Sequence, residues 1–212
     1  MIITERTKQT LTYPACLMGV VALIVCSLLL FTHNLTQQPI ADRQREELTH
    51  LLKQVLPDDV YNNQPLEQRY QHTIDGTLYN FYRARFNNQV SAIVIFTSTS
   101  GYSGEITMLM AIKKDGSLGG VRILSHTETP GLGDKIEATK SNWILQFTGL
   151  SLTQPAKSGW AVKKDGGTFD AFTGATITPR AVVKEIHKIL HLFQAHRDFF
   201  LKETDLTPRP RS

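Results

Sequence analysis

The chain has 212 residues, 41% of them hydrophobic and 20% charged, with a formal net charge of +4. These averages exclude a collagen, a disordered chain, a disulfide scaffold and a polytopic membrane protein, and +4 is too small a balance to argue for nucleic acid. They also conceal one feature: no Asp, Glu, Lys or Arg occurs from Gln9 to Ala41.

Inside that gap lies the apolar run from Tyr13 to Phe31. About 20 apolar residues at 1.5 Å per residue cross the roughly 30 Å hydrocarbon layer of a bilayer. A buried core helix is the alternative, but such helices rarely lack charge on every face. Pro14 suits a first helical turn, where its missing N–H costs little. A cleaved signal peptide fits poorly: the run exceeds the usual apolar region of about 7–15 residues, and no small-x-small site follows it. Cys26 follows Ile24-Val25, whereas a lipoprotein-type cleavage wants a small residue before the cysteine. Residues 11–32 are therefore read as an uncleaved transmembrane helix. Arg6 and Lys8 precede the span, and the next cation is Arg43. The positive-inside rule then makes residues 1–10 a cytoplasmic tail and places the chain beyond about Thr32 on the other side. Cys16 and Cys26, the chain's two cysteines, both fall in the span, as apolar fillers of a membrane helix. The exported body has neither a disulfide nor a cysteine metal site.

Residues 11–201 carry 18 Lys plus Arg against 16 Asp plus Glu, a mixed and soluble composition. Thr32–Pro39 reads as a linker. Ile40–Leu56 reads as a helix, with Leu48, Leu51, Leu52 and Val55 at helical spacing and Pro57 as its stop. These two make up a linker-and-helix region, 33–57. Asp58–Gly76 reads as loop, punctuated by Pro57, Pro65, Asn62-Asn63 and Gly76. Leu78–Phe86 and Val90–Thr97 are expected strands around Asn87-Asn88, a hairpin signal. Ile106–Ile112 and Val121–Ser125 form a second pair around Lys113-Lys114-Asp115-Gly116. The same turn chemistry recurs at Lys163-Lys164-Asp165-Gly166, between Ala161-Val162 and Thr168-Phe169. Asp134-Lys135-Ile136-Glu137 matches a capping box, which predicts a helix from Lys135 to about Phe147. A second helix is predicted to start at Thr178-Pro179, with Thr178 as N-cap. Val182, Val183, Ile186, Ile189, Leu190 and Phe193 fall on one of its faces, and Lys184, Glu185, Lys188 and Arg197 on others. The order of elements predicts an α+β domain behind one transmembrane helix.

The chain has no P-loop, Rossmann fingerprint, nucleophile elbow or His-Glu-x-x-His sequence. His187 and His191 stand at i, i+4, but no acidic or cysteine partner completes a metal set, so no metal site is assigned. Two segments differ from ordinary connectors. In His126-Thr127-Glu128-Thr129-Pro130-Gly131-Leu132-Gly133 the glycines permit close approach of backbone to a ligand; the alternative is a plain Gly/Pro loop. In Asp170-Ala171-Phe172-Thr173-Gly174-Ala175-Thr176-Ile177-Thr178-Pro179, hydroxyls and small residues precede a helix N-terminus, a ready anion site; the alternative is a Thr-rich capping loop.

Thr173-Gly174-Ala175-Thr176, with Asp170 three residues ahead, resembles the flavinylation signature of the FMN-binding domain family. Glu128-Thr129-Pro130-Gly131-Leu132-Gly133 and Gly101-Tyr102-Ser103-Gly104-Glu105-Ile106 also match that family, and Ala171 stands where Gly is frequent. The resemblance is closest to the G-subunit branch, from Rnf (Rsx) electron transport complexes. The C-subunit of the sodium-translocating NADH:quinone reductase is the related alternative, and a stand-alone extracytoplasmic flavin reductase is another. The resemblance implies an FMN-binding domain at 58–200, a C-terminal tail at 201–212, and FMN held by a phosphoester to Thr176. It implies Thr173, Gly174 and Ala175 around the acceptor and Asp170 in the modification signature. Glu128, Thr129, Gly131 and Leu132 are expected as a wall for the isoalloxazine ring. Trp143, Phe147 and Tyr102 are rings able to stack there, each read first as core. No catalytic residue is assigned: the role implied is a non-catalytic redox subunit of a ferredoxin/NAD oxidoreductase. Its implied partners are a flavin transferase, the other Rnf/Rsx membrane subunits and the lipid bilayer. The implied location is the bacterial inner membrane, single-pass, with the bulk of the chain periplasmic.

Overall fold

The computed structural model describes residues 3–202, with side chains described from Pro14 onward except at Ala41. The expected tail at 201–212 lies outside that range save for Leu201 and Lys202. The chain divides into two units, Met1–Leu48 and Thr49–Ser212.

The first unit is helical. It belongs to α1, Ile3–Val55, which contains an apolar stretch long enough to cross a membrane. Leu17, Met18, Leu23 and Phe31 are each more than half exposed, as no helix of a soluble core would be. Thr32–Pro39, expected as a linker, is helical as well. Its hydroxyls fold back onto the helix: Thr32 Oγ1 donates to the Leu28 carbonyl at 2.9 Å and Thr36 Oγ1 to the Thr32 carbonyl at 2.9 Å. Side chains that would otherwise compete with the helix are thereby spent inside it.

The second unit is built on a five-stranded antiparallel meander in the order β1-β2-β3-β4-β5. Its strands are β1 Arg69–Ile74, β2 Thr77–Phe86, β3 Gln89–Ser100, β4 Glu105–Lys113 and β5 Leu118–Ser125. β1 lies inside the stretch read as loop. Asp75 and Gly76 both have positive φ (49° and 76°), and so do Asn87 (50°) and Asn88 (66°). Those are the turns that close tight hairpins, and the Asp-Gly pair was the available signal for β1.

Side-chain alternation divides the sheet into two faces. Ile93, Ile95, Met108, Met110 and Ile112 join the larger core cluster. It includes residues of α2, Ile177–Ala195, and α3, Arg197–Leu201. Ala84, Ala92, Val94, Leu109 and Ala111 face Leu52, Val55 and Leu56 at the end of α1. Small residues let the helix come close: a Cβ on Gly119 would stand 2.5 Å from the Val55 carbonyl oxygen, and one on Gly120 3.0 Å from Val55 Cα. Arg122, buried beside them, donates from Nε to Gln54 Oε1 (2.8 Å) and from Nη2 to the Gln54 carbonyl (3.2 Å). A cation thus sits on the carbonyl end of the helix, where the macrodipole favours it.

Three further expectations need correction. Lys135–Phe147 is not one helix: it contains two 3₁₀ segments, Asp134–Ile136 and Asn142–Phe147. Glu137 does not close a capping box, because its carboxylate is taken by His126 and Thr139. The Lys163–Asp165 turn joins no pair of strands; a single bridge links Val162 to Phe169. α2 starts early, with Thr176 as N-cap and Thr178 inside the helix. Its predicted apolar face is buried, but Glu185 is buried too, accepting from Thr97 Oγ1 at 2.6 Å and Lys188 Nζ at 3.1 Å.

The Gly119→Ala substitution should lower stability by about 1–3 kcal/mol, because its new methyl meets backbone rather than a movable side chain. Urea unfolding followed by circular dichroism checks this; an unchanged midpoint would contradict the close contact.

Candidate functional site

Three segments meet at the β3–β4 end of the sheet. The first is the turn joining β3 to β4, closed by Gly101 N–H donating to the Gly104 carbonyl at 2.7 Å. The second is the loop after β5, where Leu132 and Gly133 both donate to the Thr129 carbonyl at 3.1 Å. The third is the segment entering α2, where Ala175 N–H donates to the Phe172 carbonyl at 3.0 Å around left-handed Gly174 (φ 81°). A side chain there would be strained.

Glu128 joins all three. It is 5% exposed. Oε1 accepts from Ser103 N–H at 3.0 Å, and Oε2 accepts from Thr178 Oγ1 at 2.5 Å. Two glycines make room for it: a Cβ on Gly101 would lie 2.3 Å from Oε1, and one on Gly133 2.8 Å from Oε2. Glu128 is itself held from behind. Its N–H donates to His126 Nδ1 at 3.0 Å, and His126 Nε2 meets Glu137 Oε1 at 2.7 Å. An Nδ1 that accepts leaves the ring proton on Nε2, so His126 donates to Glu137. That bond, with burial opposing it, holds the Glu137 carboxyl below its ordinary range.

Between the segments lies a cleft of about 270 Å³ lined by Tyr102, Glu128, Thr129, Leu132, Gly174, Ala175 and Thr176, together with Gly133, Ile177 and Thr178. Tyr102 is 72% exposed, Ile177 46% and Leu132 43%, an apolar rim around polar groups. Thr176 is half-buried and makes no side-chain capping bond, although it occupies the N-cap position. The first intrahelical bond beyond it is Arg180 N–H to the Thr176 carbonyl, 3.3 Å. The amides of Ile177 and Thr178 precede that bond, and Pro179 has none. Arg180 is paired outward with Asp165, through Nε at 2.5 Å and Nη2 at 2.8 Å. That pairing holds the Asp165 carboxyl below its ordinary range.

The expected site residues sort accordingly. Glu128, Thr129, Leu132, Gly174, Ala175 and Thr176 line the cleft. Thr173 and Gly131 are exposed beside it. Asp170 faces away: its carboxylate pairs with Lys163 at 2.6 Å while its carbonyl accepts from Trp143 Nε1 at 2.8 Å. Trp143 and Phe147 are core, edge to face at 5.2 Å, but Tyr102 is not. Ser103, Gly133, Ile177 and Thr178 went unassigned from sequence; the glycines flanking Glu128 were the available signal. His187 and His191 meet at 3.2 Å between their Nε2 atoms, with His187 stacked on Trp160. No group of three metal-ligating side chains occurs among the described residues.

The chain carries an FMN-binding domain behind an N-terminal helix long and apolar enough to cross a membrane. The FMN-binding domain model matches residues 101–191, which hold every segment of the cleft, and the RnfG N-terminal region matches residues 1–55. The chain belongs to the G-subunit family of ion-translocating oxidoreductase complexes. The G-subunit from Pseudomonas aeruginosa is 44% identical over 92% of this chain and 94% of its own length. Its counterpart from Cereibacter sphaeroides is 46% identical over 85% and 83%. The crystal structure of Shewanella oneidensis NqrC aligns at 21% identity over 68% of this chain and 72% of that chain, with a TM-score of 0.46.

Glu128→Ala should cost about 1–3 kcal/mol for each buried donor left without an acceptor. Thr178, with no exposure, bears most of it. Chemical unfolding checks this; wild-type stability would show that Glu128 does not organise the site.

Since the folded Glu137 pKa is depressed from 4.5, its stabilising contribution should be present above that pH and disappear as pH falls through the folded value. Acid unfolding of the wild type and Glu137→Gln should converge at low pH; a constant gap across the range would contradict the His126 contact.

Proposed function

We propose that this chain is an electron-transfer subunit of an ion-translocating ferredoxin/NAD oxidoreductase complex, carrying FMN through a phosphoester on Thr176. The observation that carries the reading is the Thr176 hydroxyl itself. It stands at the rim of the cleft, at a helix N-terminus, and is uncommitted to capping.

The residues present suit such a group. Gly174 keeps the acceptor loop thin, and no Cβ crowds the approach to Thr176 from that side. The amides of Ile177 and Thr178, with the helix dipole, stabilise phosphate charge by about 0.3–1 kcal/mol. Leu132 and Ile177 present apolar surface to a flat ring, and Thr129 presents a hydroxyl to a polar edge. The cleft is open at its rim, where Tyr102, Ile177 and Leu132 are exposed. A ring held there stays partly uncovered, which suits a relay exchanging electrons with neighbouring proteins rather than a pocket that sequesters a substrate. When bound, FMN supplies one- and two-electron redox chemistry; the protein orients and tunes it.

Attachment needs a second protein. A threonine hydroxyl is a weak nucleophile without a positioned base, and the base belongs to a flavin transferase acting on FAD with magnesium. There the Thr176 Oγ–P bond forms, the FAD pyrophosphate P–O bond breaks, AMP leaves, and the transferase base takes the threonine proton. Thr173, Gly174 and Ala175 form the slim tip offered to that enzyme, with exposed Asp170 and Lys163 beside it. The span anchors the chain in the bacterial inner membrane. Arg6 and Lys8 support a cytoplasmic N-terminus and a periplasmic domain, next to the other membrane subunits of the complex.

The test is intact mass of the full-length chain co-produced with a flavin transferase. The expected mass gain is one FMN less water, present in Thr176→Ser and absent in Thr176→Val. A flavin retained by Thr176→Val after denaturation would move the acceptor elsewhere.

A further inference from the structure

We infer that Tyr102 is the outer cover of the flavin ring, closing over it from the β3–β4 turn while Leu132 and Ile177 support the ring from the other side of the cleft. The inference rests on the reading that FMN is attached at Thr176.

Tyr102 lines the cleft yet is 72% exposed. The aromatic rings of the neighbouring core are committed elsewhere. Trp143 packs edge to face on Phe147 and on Phe172, both at 5.2 Å, and spends its N–H on the Asp170 carbonyl. Phe147 stacks on Phe169 at 4.7 Å. Tyr102 belongs to none of these contacts.

The backbone that carries Tyr102 is fixed rather than loose. Gly101 N–H closes the turn on the Gly104 carbonyl, and the next amide after Tyr102, Ser103 N–H, donates to Glu128. Gly101 is held in place by the same carboxylate, which leaves no room for a Cβ, and a Cβ on Gly104 would stand 2.3 Å from Thr127 Oγ1. Both ends of the turn are therefore locked to the loop that forms the opposite wall. The Tyr102 side chain, exposed at the tip of this fixed turn, borders the cleft. A phenol ring suits this position: it offers a flat apolar face to an aromatic ligand and keeps its hydroxyl in water.

The assignment separates two jobs in one site. Glu128 sets where the walls stand, and Tyr102 sets how much of the ring meets solvent.

The test uses the full-length chain, co-produced with a flavin transferase, as wild type, Tyr102→Ala and Tyr102→Phe. Intact mass is read first and is expected to show FMN on all three; loss of FMN from Tyr102→Ala with FMN kept on the wild type would overturn the cover role in favour of a part in attachment. Flavin emission is then titrated with iodide. Tyr102→Ala should raise both emission and the iodide quenching constant by at least about twofold, because a stacked phenol ring quenches the flavin and shields it. Tyr102→Phe should keep the iodide protection. If Tyr102→Ala carries FMN but matches wild type in emission and iodide access, the cover is not Tyr102 and attachment at Thr176 stands. If the wild type carries no FMN, both readings fall.

Discussion

The whole site depends on one buried carboxylate. Glu128 lies between two glycines that exist as glycines because of it, and it accepts from the β3–β4 turn with one oxygen and from α2 with the other. Burying such a group is costly unless its lone pairs are used. Here both oxygens are used, and each bond ties a different piece of chain. α2 cannot drift from this loop without leaving the buried Thr178 hydroxyl unmet. His126 adds a third tie from behind, accepting the Glu128 amide on Nδ1 and donating its own N–H to Glu137. A loop of Gly, Pro and Thr, flexible by composition, is thereby made as definite as the sheet that carries it.

The other end of the sheet carries a different constraint. The last turn of α1 packs on Ala84, Ala92, Val94 and Ala111, and Arg122 holds its final carbonyls. The glycine pair at 119–120 permits the close approach. From Ala111 to Glu105, where the β3–β4 turn begins, β4 runs about 20 Å at roughly 3.4 Å per residue. The cleft is therefore held away from the helix end by rigid antiparallel strands rather than by loops. A site whose supports are strands keeps its geometry better than one built on loops alone. Because side chains alternate between the two faces, the same strands pack the end of α1 on one face and α2 and α3 on the other.

How far the sequence showed this follows from the range of the forces involved. Strand alternation and the α2 stripe are local periodicities, and both were legible. The three glycine-bearing motifs were legible as motifs, and all three meet at the cleft. What escaped was decided by distant partners. Lys135–Phe147 had a capping box on paper, but Glu137 is drawn off by His126, eleven residues away. Glu185 has the pattern of a solvent-facing charge, yet Thr97, from the sheet, buries it. β1 was lost under a polar composition, although Asp75-Gly76 marked its turn. Thr32–Pro39 has a linker's composition because Thr, Asn and Gln favour loops, a preference cancelled when the threonine hydroxyls bond back to the helix.

Two threonines at the head of α2 show how the same chemistry is directed to two ends. Thr178 is the residue whose identity and Pro179 neighbour suggested the N-cap. It instead lies inside the helix with no exposure, its hydroxyl given to Glu128. That commitment draws the helix start back to Thr176, which takes the N-cap position without making the N-cap bond. A capping hydroxyl would be turned inward to accept from the second or third amide of the helix and would not face a reaction partner. Thr176, without that bond, lines the cleft at the head of the helix. The Glu128–Thr178 bond therefore does more than hold loops together. By fixing where the helix begins, it decides which of two neighbouring hydroxyls is held inside the helix and which is left without a capping bond.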